Sequence, residues 1–142
     1  MKPVSELFKN RPTTLWSLGP DDSVFDAIKV LAEKGVGALI VMQKGKLVGI
    51  LSERDYTRKV ALLGKNSRET LVRDIMTANV LVVKPTTRTR ECMAIMSEKN
   101  IRHLPVVDGD TVVGMLSIRD LMNDIIKDHE VTIAQLESYI HQ

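Results

Sequence analysis

Two serine–aspartate pairs hold the side chains of this sequence that are best suited to binding chemistry. Ser52 is followed three positions later by Asp55, and Ser117 is followed in the same way by Asp120. Each pair comes directly after a short apolar stretch and opens a helical pattern, which predicts a strand that runs into a helix capped by the serine. Because free N–H groups and a partial positive charge collect at a helix start, each corner is a natural site for a phosphate or another anion.

The same spacing also has a structural interpretation that needs no ligand. A serine at the N-cap and an aspartate at the third helical position satisfy each other's backbone N–H groups in a capping box. The duplication does not separate the two interpretations, because a repeated fold repeats its caps as well. The residues alone leave both open.

The corners belong to a duplicated stretch of sequence. Val48-Gly-Ile-Leu-Ser-Glu-Arg-Asp-Tyr56 returns as Val113-Gly-Met-Leu-Ser-Ile-Arg-Asp-Leu121. Around each copy the elements follow the order strand, helix, strand, strand, helix. The predicted fold class is therefore α+β, with two β-α-β-β-α repeats related by pseudo-two-fold symmetry, each a small mixed sheet covered by helices. A unit of roughly 55 residues is marginal as an independent fold, so the two halves should pack around shared apolar surface.

Cap and turn residues set the limits of the predicted elements. Ser23 opens a helix that ends at Gly35, and its counterpart in the second repeat ends at Asn100, because glycine and asparagine adopt the left-handed cap conformation most readily. Apolar periodicity and turn residues predict the other elements. They are strands at 14–18, 38–42, 47–51, 80–83, 103–107 and 112–116, and helices from 52 towards 63 and from 117 towards 127.

A short lead-in helix is predicted before each repeat, and a tail helix after the second. The apolar residues of the lead-in helices are Val4, Leu7, Phe8, Val72, Ile75 and Met76. Thr132-x-x-Gln135 predicts a capping box for a separate amphipathic tail helix that covers an apolar surface or meets a partner. The predicted domains are residues 1–65 and 66–130, each a repeat with its lead-in helix, and the tail helix at 131–142.

Composition excludes several classes of protein. An apolar content of 44% with 27% charged residues is that of an ordinary globular chain. The formal charge of +2 is spread along the sequence without a basic block, which argues against a nucleic-acid partner. No apolar run approaches the ~18 residues of a membrane span, so no membrane partner is expected. The single cysteine forms no intrachain disulfide, which favours a reducing, cytoplasmic location.

Nothing in the sequence indicates catalysis or a metal site. There is no Ser-His-Asp set, phosphate-binding loop or Gly-x-Gly-x-x-Gly motif, so the chain is predicted not to be an enzyme. Cys92 aligns with Ala27 on a buried helix face, which makes it a core residue rather than a nucleophile. His129 and His141 have no second ligand at a metal-binding spacing.

Together these residues resemble the tandem CBS domain, named after cystathionine beta-synthase and often called a Bateman module, in its stand-alone form. The resemblance covers almost the whole chain. It is carried by Asp74-Ile-Met-Thr77, by Ile101-Arg-His-Leu-Pro-Val-Val-Asp108 and by the two Gly-x-Leu-Ser-x-Arg-Asp corners. It implies a regulatory module whose cleft between the repeats holds an adenosine-containing ligand, such as AMP, ADP, ATP, NAD(H) or S-adenosylmethionine.

The resemblance also implies roles for individual residues. In similar proteins the aspartate of each corner holds the ribose hydroxyls, and the serine or threonine lies near the phosphates. Arg102 and His103 would face the phosphates, whereas the first repeat has Gly37 and Ala38 at those positions. The predicted ligand-binding residues are Trp16, Gly37, Ala38, Ser52, Arg54, Asp55, Val80, Arg102, His103, Leu104, Pro105, Ser117, Arg119 and Asp120.

Several of these residues keep an alternative interpretation. Arg102 and His103 also fit an exposed strand end, with a solvated arginine and a hydrogen-bonded histidine. Arg54 and Arg119 lie in a first helical turn, where a cation opposes the helix dipole, so they serve a salt bridge or an anion contact. Trp16 lines the cleft or packs at its edge.

The resulting functional hypothesis is a sensor of adenine nucleotides or related ligands that signals to a downstream protein. The alternative is a structural dimerisation module without a ligand. A homodimer is expected in either case, because the helices after the two corners carry apolar residues on more than one face. Those residues are Val60, Leu62, Leu63, Leu121, Met122, Ile125 and Ile126.

Overall fold

The computed structural model describes residues 2–9 and 15–140. Within them, residues 15–81 form one compact unit, here the first unit, and residues 2–9 with 82–140 form the second unit. The lead-in helix α1, Val4–Leu7, therefore belongs to the unit of the second repeat, and α4, Val72–Ile75, to that of the first. The division at residue 65 groups each lead-in helix with the repeat that follows it in the chain, so the compact units differ from the predicted domains.

The first unit contains a three-stranded mixed sheet. Its strands are β1 (Ser17–Leu18), β2 (Ala38–Gln43) and β3 (Lys46–Ser52). β1 pairs with β2 in parallel, and β2 pairs with β3 as an antiparallel hairpin. Of the strand predicted at 14–18, only Ser17–Leu18 forms a strand. Residues 15 and 16 precede it without regular structure, and Thr14 lies outside the described residues.

The second unit repeats this hairpin. β4 (His103–Asp108) and β5 (Thr111–Ser117) are antiparallel, and their residues pair in the same order as those of β2 and β3. The α+β class with small sheets and covering helices is thus confirmed. Both hairpins extend beyond the predicted strands to the capping serines, because the strand and the helix share that residue.

The predicted strand at 80–83 is reduced to a single parallel bridge between Val83 and Val106. Val83 N–H donates to Pro105 O, and Val107 N–H donates to Val83 O. Pro105 stands where the first repeat has Ile40, which pairs with Ser17. Because proline has no N–H to donate, the parallel ladder is interrupted there and a regular strand does not form.

The long helices of the two repeats begin and end as the sequence predicts. α2 spans Val24–Lys34 and α5 spans Thr89–Lys99. The Ser23 side chain accepts a hydrogen bond from the Asp26 N–H, and Gly35 closes α2 with a φ of 64°. Asn100 closes α5 in the same left-handed conformation, at a φ of 53°. Both stop signals are therefore confirmed.

The helices after the two corners differ in length and form. The first is α3, Glu53–Tyr56, followed by a π-helical segment at Thr57–Ala61. The second is a single helix, α6, that runs from Ile118 to Ile140 without a break. The expected capping box at Thr132 is wrong, because the Thr132 hydroxyl donates to Asp128 O one turn earlier, as serine and threonine do inside helices.

Each unit has its own hydrophobic core. The core of the first unit includes Val72 and Ile75 of α4, and that of the second unit includes Val4 of α1. Val4 N–H also donates to Thr87 O, and Val24 N–H donates to Thr70 O. The lead-in helices are therefore parts of the cores and not connectors that lie on the surface.

Cys92 is fully buried in the second core, which confirms its predicted place. Burial, followed by the nearby Glu91 carboxylate, raises the pKa of the Cys92 thiol to about 11. At pH 8 roughly one thiol in a thousand is then ionised.

We expect the Cys92 thiol of the native protein to resist a thiol-specific chromogenic disulfide, whereas the thiol of guanidinium-unfolded protein reacts completely. Rapid stoichiometric reaction of the native protein would contradict this placement.

Candidate functional site

The first corner is closed by reciprocal hydrogen bonds between Ser52 and Asp55. The Ser52 N–H donates to Asp55 Oδ2 at 2.9 Å, and the Ser52 hydroxyl donates to the same oxygen at 3.0 Å. In return, the Asp55 N–H donates to Ser52 Oγ at 3.2 Å. The capping interpretation of the sequence is therefore correct for this corner.

The second corner has the same arrangement. The Ser117 N–H donates to Asp120 Oδ2 at 2.8 Å, and the Asp120 N–H donates to Ser117 Oγ at 3.1 Å. Both aspartate residues are partly buried, so neither residue is fully shielded from solvent. A carboxylate at such a position can accept hydrogen bonds from a ligand with hydroxyl groups.

The hairpins place the start of one strand beside each corner. Ala38 is the cross-strand partner of Ser52, and His103 is that of Ser117. A backbone bond joins the same two elements in each unit: Glu53 N–H donates to Gly37 O, and Ile118 N–H donates to Arg102 O. The structure thus brings these predicted residues together with the corner of their own repeat.

The two strand starts differ in the chemistry that they present. Ala38 is buried and Gly37 has no side chain, so the first corner gains only backbone groups from this strand. Arg102 is exposed and His103 is partly buried in the second unit. The strand start therefore supplies a guanidinium group and an imidazole only in the second unit.

A lysine distinguishes the first corner further. Lys59 Nζ lies 3.3 Å from Asp55 Oδ1 and donates to Ile75 O at 2.9 Å. The second carboxylate oxygen of Asp55 is therefore beside a cation that also ties the corner helix to α4. Because a carboxylate has about four lone-pair directions, the capping bonds and this contact leave acceptor capacity at Asp55.

In the second unit the corresponding contact has the charges reversed, with the carboxylate on the corner helix and the lysine on the lead-in segment. Asp124 occupies the position equivalent to Lys59, and its Oδ1 accepts a 2.7 Å bond from Lys2 Nζ. This hydrogen bond raises the pKa of Lys2 against a smaller opposing effect of desolvation, with Asp128 adding to the increase. In both units a lysine therefore joins the corner helix to the lead-in segment.

The glycine of the repeated motif leaves room for a lead-in side chain. A Cβ atom at Gly49 would lie 2.5 Å from Met76 Sδ, and one at Gly114 would lie 2.6 Å from Phe8 Cε2. Both distances are shorter than any ordinary carbon contact. The residue that follows each lead-in helix thus packs against the strand before the corner so closely that a Cβ atom there would force it to move.

The other predicted site residues occupy varied positions. Trp16 is 38% exposed, and Lys34 Nζ lies 4.2 Å from its ring centroid in a cation–π contact. Leu104 and Pro105 are buried, and Leu104 belongs to the second core. The remaining residues are the partly buried Arg54 and Val80 and the exposed Arg119.

The sequence reasoning missed the two lysine ties. Asp55 and Lys59 are four positions apart, a helical spacing at which opposite charges meet, and this signal could have identified the first tie. Lys2 and Asp124 are 122 positions apart, and no local pattern relates them. Only the folded chain reveals that second pair.

Within residues 2–9 and 15–140, no group of three His, Cys, Asp or Glu side chains could hold a metal ion. None of the described helices is long and apolar enough to cross a bilayer.

Comparison with known proteins identifies the same repeat along the chain. The family model of the CBS domain matches residues 4–62 and again residues 72–127. The CBS domain-containing protein CBSX3, mitochondrial, of Arabidopsis thaliana is 38% identical over 96% of this chain and 71% of its own length.

Solved structures share the fold closely. A protein with CBS domains from Burkholderia ambifaria MC40-6 is 45% identical with a TM-score of 0.87, and the match covers 89% of this chain and 96% of that one. The CBS domain pair of protein MJ0100, in complex with 5'-methylthioadenosine and S-adenosyl-L-methionine, is 25% identical with a TM-score of 0.78, over 90% of this chain and 98% of that one.

Proposed function

Because this chain belongs to the CBS domain family and carries two copies of the domain, we propose that it is a regulatory module that binds an adenosine-containing ligand at its serine–aspartate corners and signals to a partner protein. The ligand classes considered are AMP, ADP, ATP, NAD(H) and S-adenosylmethionine. They share the ribose and the adenine base, and the proposed site binds this common adenosine part. The downstream partner is a protein, and neither a nucleic acid nor a membrane is part of the proposal.

The observation that carries the proposal is the partly exposed aspartate residue in each corner. Capping bonds occupy Oδ2 of Asp55 and of Asp120, yet each side chain is partly exposed to solvent. A carboxylate in this position can accept bonds from two vicinal hydroxyls while the nearby serine and helix start donate to an anion. The related MJ0100 domain pair binds two adenosine compounds, which supports the choice of ligand class.

A ligand screen tests this proposal directly. We expect AMP, ATP, NAD, NADH or S-adenosylmethionine to raise the melting temperature, because a ligand at 100 times its Kd stabilises the native state by about 2.7 kcal/mol. Guanosine and cytidine nucleotides of equal charge serve as controls for general phosphate binding. A flat response to every adenosine compound, repeated by calorimetry at millimolar concentration, would contradict the proposal.

The alternative is a structural dimerisation module, and one observation favours it. The aspartates already complete capping boxes without any ligand. Helix capping alone would therefore explain why both repeats carry an aspartate at this position. This module would respond to no nucleotide in the screen but would still associate. The homodimer is therefore proposed under either function, supported by exposed apolar residues after both corners: Leu62, Leu63, Met122 and Ile126.

The second corner is expected to prefer phosphorylated ligands. Arg102 is exposed beside it, and a charged hydrogen bond contributes roughly 1.5–3 kcal/mol, so AMP should bind at least ~10-fold more tightly than adenosine. Calorimetry on Arg102→Ala should reduce this preference, whereas Lys46→Ala, at the far end of the other hairpin, should preserve it. If both variants bind AMP and adenosine like the wild type, Arg102 does not contact a phosphate.

The location of the chain and its lack of enzymatic activity stay predictions. A cytoplasmic location rests on cysteine usage alone, and the Arabidopsis relative carries the word mitochondrial in its name. The absence of enzymatic activity agrees with relatives named for their CBS domains. Fractionation of the source cells and product analysis after prolonged incubation with nucleotides address these two predictions.

A further inference from the structure

Helix α6 is longer than the repeated fold requires. The second match to the CBS domain ends at residue 127, whereas α6 continues to Ile140. Its counterpart in the first unit ends with the π-helical segment at Ala61. The final turns of α6 therefore belong to this chain rather than to the repeat, and their side chains are exposed throughout residues 127–140.

An apolar stripe with a regular spacing follows the exposed side of α6. Successive members are separated alternately by four and three residues, which is the heptad pattern of a coiled-coil seam. Its members, here the seam, are Met122, Ile126, His129, Ile133, Leu136 and Ile140. All six are exposed, and Leu136 is 57% exposed.

The seam is separate from the face that α6 turns towards its own core. Leu121 is buried in the second core, and Ile118 packs against that core. Ile125, one turn after Leu121, is partly buried. The helix thus has one apolar face that the unit covers and a second that runs along its whole length uncovered.

The seam spans 19 residues from Met122 to Ile140, which corresponds to about 28 Å at 1.5 Å per residue. A heptad stripe of this length fits another helix that supercoils around it. A membrane surface fits poorly, because interfacial helices carry Lys and Arg on the polar face, whereas acidic side chains dominate here. The acidic and basic residues between Ile126 and Ile140 are Lys127, Asp128, His129, Glu130 and Glu137.

Residue types along the seam favour a second copy of this helix. With Ile126, Ile133 and Ile140 at the a positions, the d positions hold Met122, His129 and Leu136. Isoleucine at a with leucine at d, as at Ile133 and Leu136, favours two parallel strands. His129 favours one register of such a pair, because facing an apolar residue would leave its imidazole nitrogens without a polar partner.

The flanking charges favour the same orientation. Glu130 and Glu137 occupy the e positions, and the g positions hold Ile125, Thr132 and Tyr139. In a parallel pair each glutamate faces an uncharged g residue of the other helix. An antiparallel pair would place the glutamates of the two helices opposite each other, and like charges repel.

We propose that the seam of α6 pairs in parallel and in register with the seam of a second copy of this chain. The proposal deepens the proposed homodimer and rests on it, but it does not depend on any ligand. It assigns the association to six residues of one helix, including turns beyond the family match, and it matches each a residue with the same residue of the other copy.

Cysteine cross-linking tests the register and the orientation. In a Cys92→Ala background, Ile126→Cys and Ile140→Cys are each expected to form more than half disulfide-linked dimer under mild oxidation, since a parallel pair places each cysteine opposite itself. Ser138→Cys, on the opposite side of the helix, is the matched control and should stay mostly monomeric on a non-reducing gel. Linkage only in a mixture of the Ile126→Cys and Leu136→Cys proteins, an a and a d position that an antiparallel pair would place opposite each other, would overturn the proposal.

A charge substitution tests the seam without chemistry at cysteine. Leu136→Asp should weaken dimerisation at least tenfold in sedimentation analysis, whereas Ser138→Asp should leave it within about twofold. A dimer unaffected by Leu136→Asp and without cross-links would refute the seam while preserving the homodimer. A wild-type monomer at 100-fold the working concentration would refute both, and calorimetry with nucleotides would still report on ligand binding independently.

Discussion

Replacing Asp120 or Asp55 by alanine is expected to weaken the binding of an adenosine-containing ligand by ~10- to 100-fold at an occupied corner. Each change removes hydrogen bonds from a charged acceptor to the ribose hydroxyls, and such bonds contribute roughly 1.5–3 kcal/mol. Isothermal calorimetry on the two single variants and on the double variant measures the effect. The double variant shows whether one corner or both hold ligand.

Both changes also remove a helix cap, so the loss of affinity must be separated from a loss of stability. Asp120 Oδ2 accepts from the Ser117 N–H, and Asp55 Oδ2 accepts from the Ser52 N–H. Loss of a cap costs about 1 kcal/mol of stability. Ser23→Ala is a matched control, because it removes the cap of α2, where the side chain accepts from the Asp26 N–H at 3.1 Å.

The comparison of these variants decides between the two functions. If the aspartates bind ribose, the aspartate variants have a lower ligand affinity, whereas Ser23→Ala has a lower melting temperature and an unchanged ligand affinity. If all three variants lower the melting temperature alike and leave ligand affinity unchanged, the corners are caps alone. Asp55→Asn and Asp120→Asn add a finer test, because the amide oxygen can still accept the capping bond while the negative charge is lost.

Replacing Gly114 by alanine is expected to destabilise the second unit by roughly 1–3 kcal/mol, because added volume in a well-packed site forces neighbours to move. The new Cβ would lie 2.6, 2.9 and 3.2 Å from three carbons of the Phe8 ring. Because the aromatic ring is rigid and three of its carbons are in contact, the lead-in segment must shift to make room. Urea unfolding followed by circular dichroism measures the change.

The corresponding change at Gly49 should cost less, because its nearest neighbour is flexible. A Cβ there would meet Met76 Sδ at 2.5 Å and Thr77 O at 3.1 Å. The methionine side chain can rotate, but the Thr77 carbonyl is fixed by its bond from the Ile50 N–H. Met adapts to altered packing more readily than an aromatic ring.

Two controls make the glycine prediction specific. Gly19→Ala should be nearly neutral, because its Cβ would meet only Asp22 Oδ2 at an ordinary 3.6 Å. Combining Gly114→Ala with Phe8→Leu should recover part of the stability by returning space to the new methyl group. A Gly114→Ala protein as stable as the wild type would show that Phe8 does not pack against this glycine.

Local chemistry explains why much of this protein could be predicted without coordinates. The caps at Ser23 and Ser52 join residues three positions apart, and Gly35 and Asn100 stop their helices through their own backbone conformations. The hairpins follow from turn residues that accept positive φ angles, such as Gly45 at 77° and Gly109 at 61°. Interactions of this range are complete within a few residues and therefore leave a readable pattern.

The packing roles of Gly49 and Gly114 and the length of α6 could not be predicted from the residues that neighbour them in the sequence. Gly49 and Gly114 were visible as repeated glycines, but the side chains that a Cβ there would meet are Met76 and Phe8, which directly follow the lead-in helices. The predicted break in α6 at Thr132 was wrong because a threonine can cap a helix or bond one turn back with similar ease. The choice depends on whether the helix before it continues.

The sequence by itself determined the repeat, the α+β class and the capped corners, because each depends on residue type and short spacing, whereas the candidate ligand-binding residues are predictions that the resemblance to the CBS family implies. Only the tertiary structure decided that the lead-in segment at 2–9 belongs with the second repeat and α4 with the first. It also decided that Lys2 pairs with Asp124, across 122 positions of the chain. Such contacts depend on which of many compatible apolar surfaces are buried together, and that free-energy difference is a property of the whole packed unit rather than of any short segment.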